Sequence, residues 1–198
     1  MSYIRQKYLE ILKENLEPNI LNHSIALEAC MGGLYDHFDS QEQLDASEPL
    51  KADWLLAGLL HDVDYSGEFK DQHPRKTQEA LDKYDLEIPE TVMHIIKAHA
   101  PKLTNTKLQT KADWSIFCAD SLTGLIVAVA LILPSKKLAD VKLSSVIKRF
   151  LHQPKFAAGT RRDEVSMCTN PEGLNLSLEK FIEICLDSMK NIAGEIGL

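Results

Sequence analysis

The chain has 198 residues, with 22 Lys and Arg against 29 Asp and Glu and a formal net charge of −7. That length supports one domain whose core needs no disulfides or other staples, and the acidic balance argues against long nucleic acids as partners. The four cysteines, Cys30, Cys118, Cys168 and Cys185, are widely spaced with no CxxC, and three of them (Cys30, Cys118, Cys185) fall inside helical patterns. This is how small buried hydrophobes are used in a reducing cytosol.

Nearly every segment carries the helical period and none alternates as a strand does, so the pattern predicts an all-α fold. Residues 3–16 form an amphipathic helix, too charged to resemble a signal peptide. After Glu17-Pro18-Asn19, a helix over 19–38 carries Leu27, Cys30, Met31 and Leu34 on one stripe, with His23 one turn ahead of Leu27. Residues 39–50 are polar and contain Pro49, as a surface connection would. The next helix, 51–62, is apolar on all faces from Trp54 to Leu60 and is therefore expected in the middle of the fold. It ends on His61-Asp62, which places a histidine and a carboxylate at the bottom of something rather than on its surface.

Residues 63–73 read as a loop containing Ser66-Gly67. Pro74 suits the first position of a helix reaching Tyr84, which would make His73 its cap. Pro89 opens another helix that ends near His99, with Val92, Ile95, Ile96 and His99 on the inward face and His94 toward solvent. A long helix over about 107–133 has Ile116, Phe117, Asp120, Gly124, Val127 and Leu131 as its inward stripe, with Asp113 two turns before Asp120 on the same line. Its most apolar run, Leu122 to Leu133, stops at Pro134, short of the roughly 20 residues a bilayer needs. A soluble, cytoplasmic protein with no membrane contact is the expectation. A lysine-rich stretch and a helix near 143–152 follow, then an element beginning in Phe156–Asp163. A terminal helix over 177–194 turns Phe181, Ile184, Cys185, Ser188 and Ile192 inward. There are no internal repeats, so residues 1–198 are expected to form one domain.

His23, His61, Asp62, His99 and Asp120 thus all face inward from four helices. Taken singly, an inward His is more often a hydrogen-bonded core residue, and an inward Asp more often a cap or the partner of a basic side chain. No inward Lys or Arg offers itself to either Asp, however, and a buried carboxylate is costly unless it is paired or coordinates a metal. Imidazole is the commonest protein ligand for a transition metal. Together the five point to a metal site.

The order His23, then His61-Asp62, then Asp120 resembles the HD superfamily of metal-dependent phosphohydrolases, over about residues 19–134. His-Asp-Val-Asp-Tyr (61–65), His73-Pro74, Ile96-Lys97-Ala98-His99 and Ala119-Asp120-Ser121-Leu122-Thr123-Gly124-Leu125 look like its bacterial single-domain branch. The resemblance implies an HD-type helical bundle with a metal-binding core over about 19–134 and a helical extension over about 135–198. It implies that His23, His61, Asp62 and Asp120 hold a first metal. It also implies that His73 and His99 complete a second site bridged by Asp62, the alternative for His73 being a helix cap. The nucleotidase branch tends to carry a glutamate soon after the pair. Here Asp64-Tyr65-Ser66-Gly67 departs from that, with no Glu before Glu68.

Mixed imidazole and carboxylate ligation with open positions suits one or two ions of Mn, Fe, Co or Ni, with Mg possible, better than a closed structural zinc site. Such an ion brings water near its pKa at neutral pH, and a pair can clamp a phosphoryl oxygen. Asp62 is the central catalytic candidate, with Asp64 as a proton relay or an orienter of the water. Arg75, Lys76, Lys97 with its neighbour Lys102, and Arg161 with Arg162 are candidates for binding substrate phosphate. Lys136, Lys137, Lys148 and Arg149 read as solvated charges. The expected function is hydrolysis, as a phosphomonoesterase or phosphodiesterase, of a nucleotide or other small phosphate ester. The alternatives are a mixed-valent di-iron oxygenase of the same superfamily, or a metal- or nucleotide-binding module without turnover. A homo-oligomer is compatible with the sequence, although no face identifies itself.

Overall fold

The helical period of the sequence becomes ten α-helices, with no strand among residues 4–198, which this computed structural model describes. Tyr3, where the first expected helix opens, lies outside the described residues. The first helix, α1, spans Arg5–Asn15, and Pro18 opens α2 (Pro18–Ser40), where a missing N–H costs nothing. Helix α3 (Lys51–Leu60) buries Trp54 and the whole run from Leu56 to Leu60. It crosses α2 at Gly58, where a Cβ would lie 2.9 Å from the backbone N and Cα of Glu28. Only a residue without a side chain permits that approach. Glu28, itself buried, accepts a hydrogen bond from Arg5 Nε at 2.7 Å and so fastens α1 to the same crossing.

After α3 the chain turns through His61–Tyr65 and a 3-10 turn at Gly67–Gln72. The next helix, α4, spans Thr77–Lys83, so it begins three residues later than Pro74, and His73 is not its cap. Arg75 N–H bonds back to Gln72 O and Lys76 N–H to Asp64 Oδ2, which holds Pro74–Lys76 as a turn. Helix α5 (Glu90–Ala98) is followed by a single turn, α6 (Pro101–Thr104), in a stretch where the sequence pattern shows only a stop.

Helix α7 (Lys111–Leu131) opens on a capping box between Thr110 and Asp113, which satisfies two of its free N–H groups. Among the described residues it is the one helix long and apolar enough to cross a membrane, and 67% of that window is buried inside the fold. It is the core helix of the bundle. Its expected inward stripe holds only at the first three positions: Ile116, Phe117 and Asp120 are buried, Gly124 and Leu131 are exposed and Val127 half-buried. Because α7 is apolar all round, the period cannot pick one face, and Ala119, Leu122, Leu125, Ile126, Val129 and Ala130 are buried as well.

The C-terminal extension belongs to the same core. Helices α8 (Leu143–His152) and α9 (Arg162–Ser166) lead to α10 (Leu178–Asn191), capped by Ser177. Helix α10 lies against α2 at Gly33, where a Cβ would fall 1.9 Å from Ser188 Oγ. Phe181, Cys185 and Met189 are buried in the common core. All four cysteines are free and buried, and burial pushes the Cys118 and Cys185 thiols well above their usual range. That protonates them and makes them inert.

Candidate metal centre

His61 and His99 reach the centre by one device used twice. Each is the first residue past a helix end, of α3 and of α5. Each turns its Nδ1 back to the carbonyl three residues earlier: His61 to Gly58 O at 2.9 Å, His99 to Ile96 O at 2.5 Å. Carbonyls in a last helical turn lack intrahelical partners, so both Nδ1 atoms carry the proton and donate it there. His23, on α2, places Nδ1 2.8 Å from Thr123 Oγ1. The Thr123 hydroxyl gives its own hydrogen to Asp120 O at 2.8 Å, so it accepts from His23. His73 Nδ1 donates to Asp64 Oδ1 at 2.7 Å. In all four imidazoles the proton is therefore on Nδ1 and the lone pair on Nε2.

Those Nε2 atoms converge. His23 and His61 stand 3.1 Å apart through Nε2, and His73 and His99 stand 3.3 Å apart. Two nitrogen lone pairs at such distances repel unless a cation lies between or beside them. Asp62 joins the pairs: Oδ2 is 3.6 Å from His23 Nε2 and 3.4 Å from His61 Nε2, and Oδ1 is 3.4 Å from His73 Nε2. Two groups result that could hold a metal ion, His23–His61–Asp62 and Asp62–His73–His99. Asp120 Oδ1 adds to the first, 3.0 Å from His23 Nε2 and 3.8 Å from His61 Nε2. The donor set fits a divalent transition ion, and ligating histidines characteristically donate their other ring N–H to a carbonyl or carboxylate, as His61, His73 and His99 do, while His23 donates to the Thr123 hydroxyl.

Protonation follows the same geometry. Burial opposes charge on His23, but the hydrogen bond and charge of Asp120, with Asp62, outweigh it and raise the imidazole above its usual range. Burial likewise opposes charge on His73, and Asp64 and Asp62 outweigh it. His99 has no such carboxylate in contact, and burial pushes it down to about 4. Asp62 and Asp120 are desolvated, yet the imidazoles around them hold both carboxyls well below the usual carboxylate range.

The site residues expected from the sequence separate into two sets. His23, Asp62, His73, His99 and Asp120 meet at the floor of one cavity, with His61 buried directly beneath them. Asp64 is fully buried behind His73, with Oδ1 on that imidazole and Oδ2 on Lys76 N–H. Both its oxygens are engaged, so it orients His73 and does not face a water in the cavity. Asp113 does not join the line of Asp120; its Oδ2 accepts from the N–H groups of Gln109 and Thr110. The same oxygen is 3.2 Å from His94 Nε2, which makes His94 half-buried rather than solvent-facing.

The cavity measures about 680 Å³ and opens above His23, Asp62, His73, His99 and Asp120. Arg161 and Lys102 line it, whereas Arg75, Lys76 and Lys97 do not. Arg75 Nε donates to Leu103 O, and Lys76 Nζ pairs with Glu79. Arg161 corrects the expectation that no cation reaches either Asp, since its Nη2 lies 2.5 Å from Asp120 Oδ2. It arrives on the strap Phe156–Thr160, which the sequence leaves undefined. Arg162 ties that strap down through the carbonyls of Phe150, Gln153 and Phe156, and Arg161 N–H docks on Ser121 Oγ of α7. Thr123 is the other participant the sequence reading misses; its position one turn after Asp120 is the only local sign of it.

Comparison with family models, with curated proteins and with solved structures finds no match for this chain.

Proposed function

We propose that this chain is a metal-dependent phosphohydrolase of the HD type, acting on a nucleotide or other small phosphate ester. The observation that carries the reading is the set of four imidazoles, each with Nδ1 engaged behind it, whose Nε2 atoms meet around Asp62 at the floor of an open cavity. His23, His61, Asp62 and Asp120 would hold one ion and Asp62, His73 and His99 a second, and mixed nitrogen and oxygen donors favour Mn, Fe, Co or Ni over Mg. When bound, such ions polarise a phosphoryl oxygen and make water acidic near neutral pH.

The chain's own residues then have distinct tasks. Asp62 offers one oxygen to each group and fixes their spacing. Asp120 turns one oxygen to the first group and the other to Arg161. Asp64 positions His73 through Oδ1 and the Lys76 N–H through Oδ2. In the reaction a water oxygen bonds to phosphorus and gives up one proton to solvent as the phosphorus–ester oxygen bond breaks; the electron pair leaves on the ester oxygen, which takes a proton from solvent in the cavity.

The test is metal analysis of protein purified without chelators, paired with a panel of phosphate mono- and diesters in added Mn or Co. Retained metal with phosphate or ester cleavage supports the reading. Absence of retained metal overturns it. Iron retention with oxygen consumption and no cleavage would assign the site to a di-iron oxygenase, and retained metal with neither activity would assign a binding module.

A further inference from the structure

We infer that Arg161 is an anion clamp facing the metal groups, and that it fits the cavity to an ester bearing a single phosphate on an uncharged, largely apolar body. This rests on the hydrolase reading above and narrows its substrate class.

Arg161 is held from two sides. Its Nη2 donates to Asp120 Oδ2 at 2.5 Å, its Nε pairs with Glu164, and its backbone N–H is anchored to Ser121. A guanidinium carries five N–H donors in a rigid fork. The bonds to Asp120 and Glu164 use one edge of it, and Nη1 keeps both its N–H groups without a partner among the described residues. Arg161 lines the cavity together with the cluster. A tetrahedral anion over Asp62 and Asp120 would meet those donors, and guanidinium is suited to grip such an anion through two oxygens at once.

The remaining walls say what the anion is attached to. Besides the imidazoles, the cavity has one other cationic side chain, Lys102, which is exposed at its rim. Ile20, Tyr65, Leu103, Gly124, Ala158 and Gly159 make apolar or small-residue surface around it. On that surface a second or third phosphate would find Lys102 alone as countercharge and Glu164 as a like charge. There is room for a body instead: a Cβ built at Gly124 or at Gly159 meets nothing within 4 Å. The volume of about 680 Å³ falls in the range of small-ligand sites, roughly 300–1,000 Å³.

The experiment uses the Mn-loaded full chain and reads two quantities: affinity for inorganic phosphate by calorimetry, and kcat/KM on phenyl phosphate against ATP. Arg161→Ala should retain Mn and lose about tenfold or more in phosphate affinity, in keeping with loss of a charge-assisted pair; Arg161→Lys should recover part of it. Gly124→Leu leaves the clamp untouched, so phosphate affinity should hold while KM for phenyl phosphate rises. Wild type should prefer phenyl phosphate to ATP. Unchanged phosphate affinity in Mn-retaining Arg161→Ala, or a preference for ATP, overturns the inference while leaving the hydrolase reading standing. A wild-type chain that holds no Mn removes that reading, and this one with it.

Discussion

The two halves of the candidate metal centre look alike in donors and differ in how they are built. His23 and His61 come from α2 and the end of α3, two helices whose backbones touch at Gly58. Their Nδ1 atoms rest on Thr123 of α7 and on the Gly58 carbonyl. His99 has the same footing as His61, but its neighbour His73 sits just after a 3-10 turn, outside any α-helix. A single carboxylate, Asp64, holds that ring. The first pair is thus positioned by the packed core, whereas in the second the His73 ring depends on one part-buried hydrogen bond. The difference should appear as two sites of unequal affinity, the His73–His99 site being the weaker.

Three substitutions and a titration probe that inequality. Asp62→Asn removes the shared carboxylate charge from both groups, so both should empty; metal content after gel filtration and turnover should fall to background. If half the metal remained, Asp62 would not bridge. Asp64→Asn should act on one side only. Residues that orient a ligating histidine typically contribute about 10- to 100-fold in metal affinity, so one ion should be lost at low free metal while the other stays. Equal weakening of both sites would erase the distinction between core-built and loop-built halves.

The titration tests the protons. His23 and His73 both have raised values, burial being outweighed by Asp120 and by Asp64 with Asp62 respectively. An imidazole raised in this way takes up a second proton, on Nε2, more readily than a free one, and that proton must leave before Nε2 can bind an ion. Affinity at each site should therefore increase with pH and fall as pH drops toward and through the usual imidazole range, by up to about tenfold per unit for each competing proton. His99, pushed down to about 4, stays neutral across that window and adds nothing. Chelator competition at fixed ionic strength, with proton release measured in weak buffer, gives the slope; a flat profile would mean that neither imidazole is protonated before binding.

How far these residues could be read from sequence depends on whether their position is set locally. His23, His61, Asp62, His99 and Asp120 are legible because each lies on or next to a long apolar period, where a polar residue on an inward face stands out; His73, after a 3-10 turn, has no such period and is pointed to by the resemblance alone. The ends of α3 and α5 were legible for the same reason. The start of α4 was not, because Pro74 is a strong local signal for a helix start and the competing partner of Lys76 N–H is Asp64, twelve residues upstream. The stripe of α7 failed at Gly124 because a helix buried on most faces has no preferred direction, and Gly124 faces the cavity rather than the core. Arg161 was named as a cation near phosphate, but its pairing with Asp120 spans 41 positions and leaves no trace in spacing. The strap that delivers it has no period at all; it is shaped by Arg162 gripping three carbonyls.

The smallest expected effect marks the outer edge of the centre. His94 lies on α5 five residues before His99, off the inward face that the sequence pattern assigns to His99. The structure separates them by what they face: His99 Nε2 meets His73, whereas His94 Nε2 meets Asp113, the carboxylate that caps α7 through Gln109 and Thr110. Asp113 keeps its two backbone donors when the imidazole is removed, and the His94 side chain is 37% exposed. His94→Ala should therefore leave metal content and turnover at wild-type levels and lower the unfolding free energy by less than about 1 kcal/mol, measurable by urea denaturation. Loss of a metal ion in this variant would show that the centre extends to the capping carboxylate, and that α5 presents two ligands rather than one.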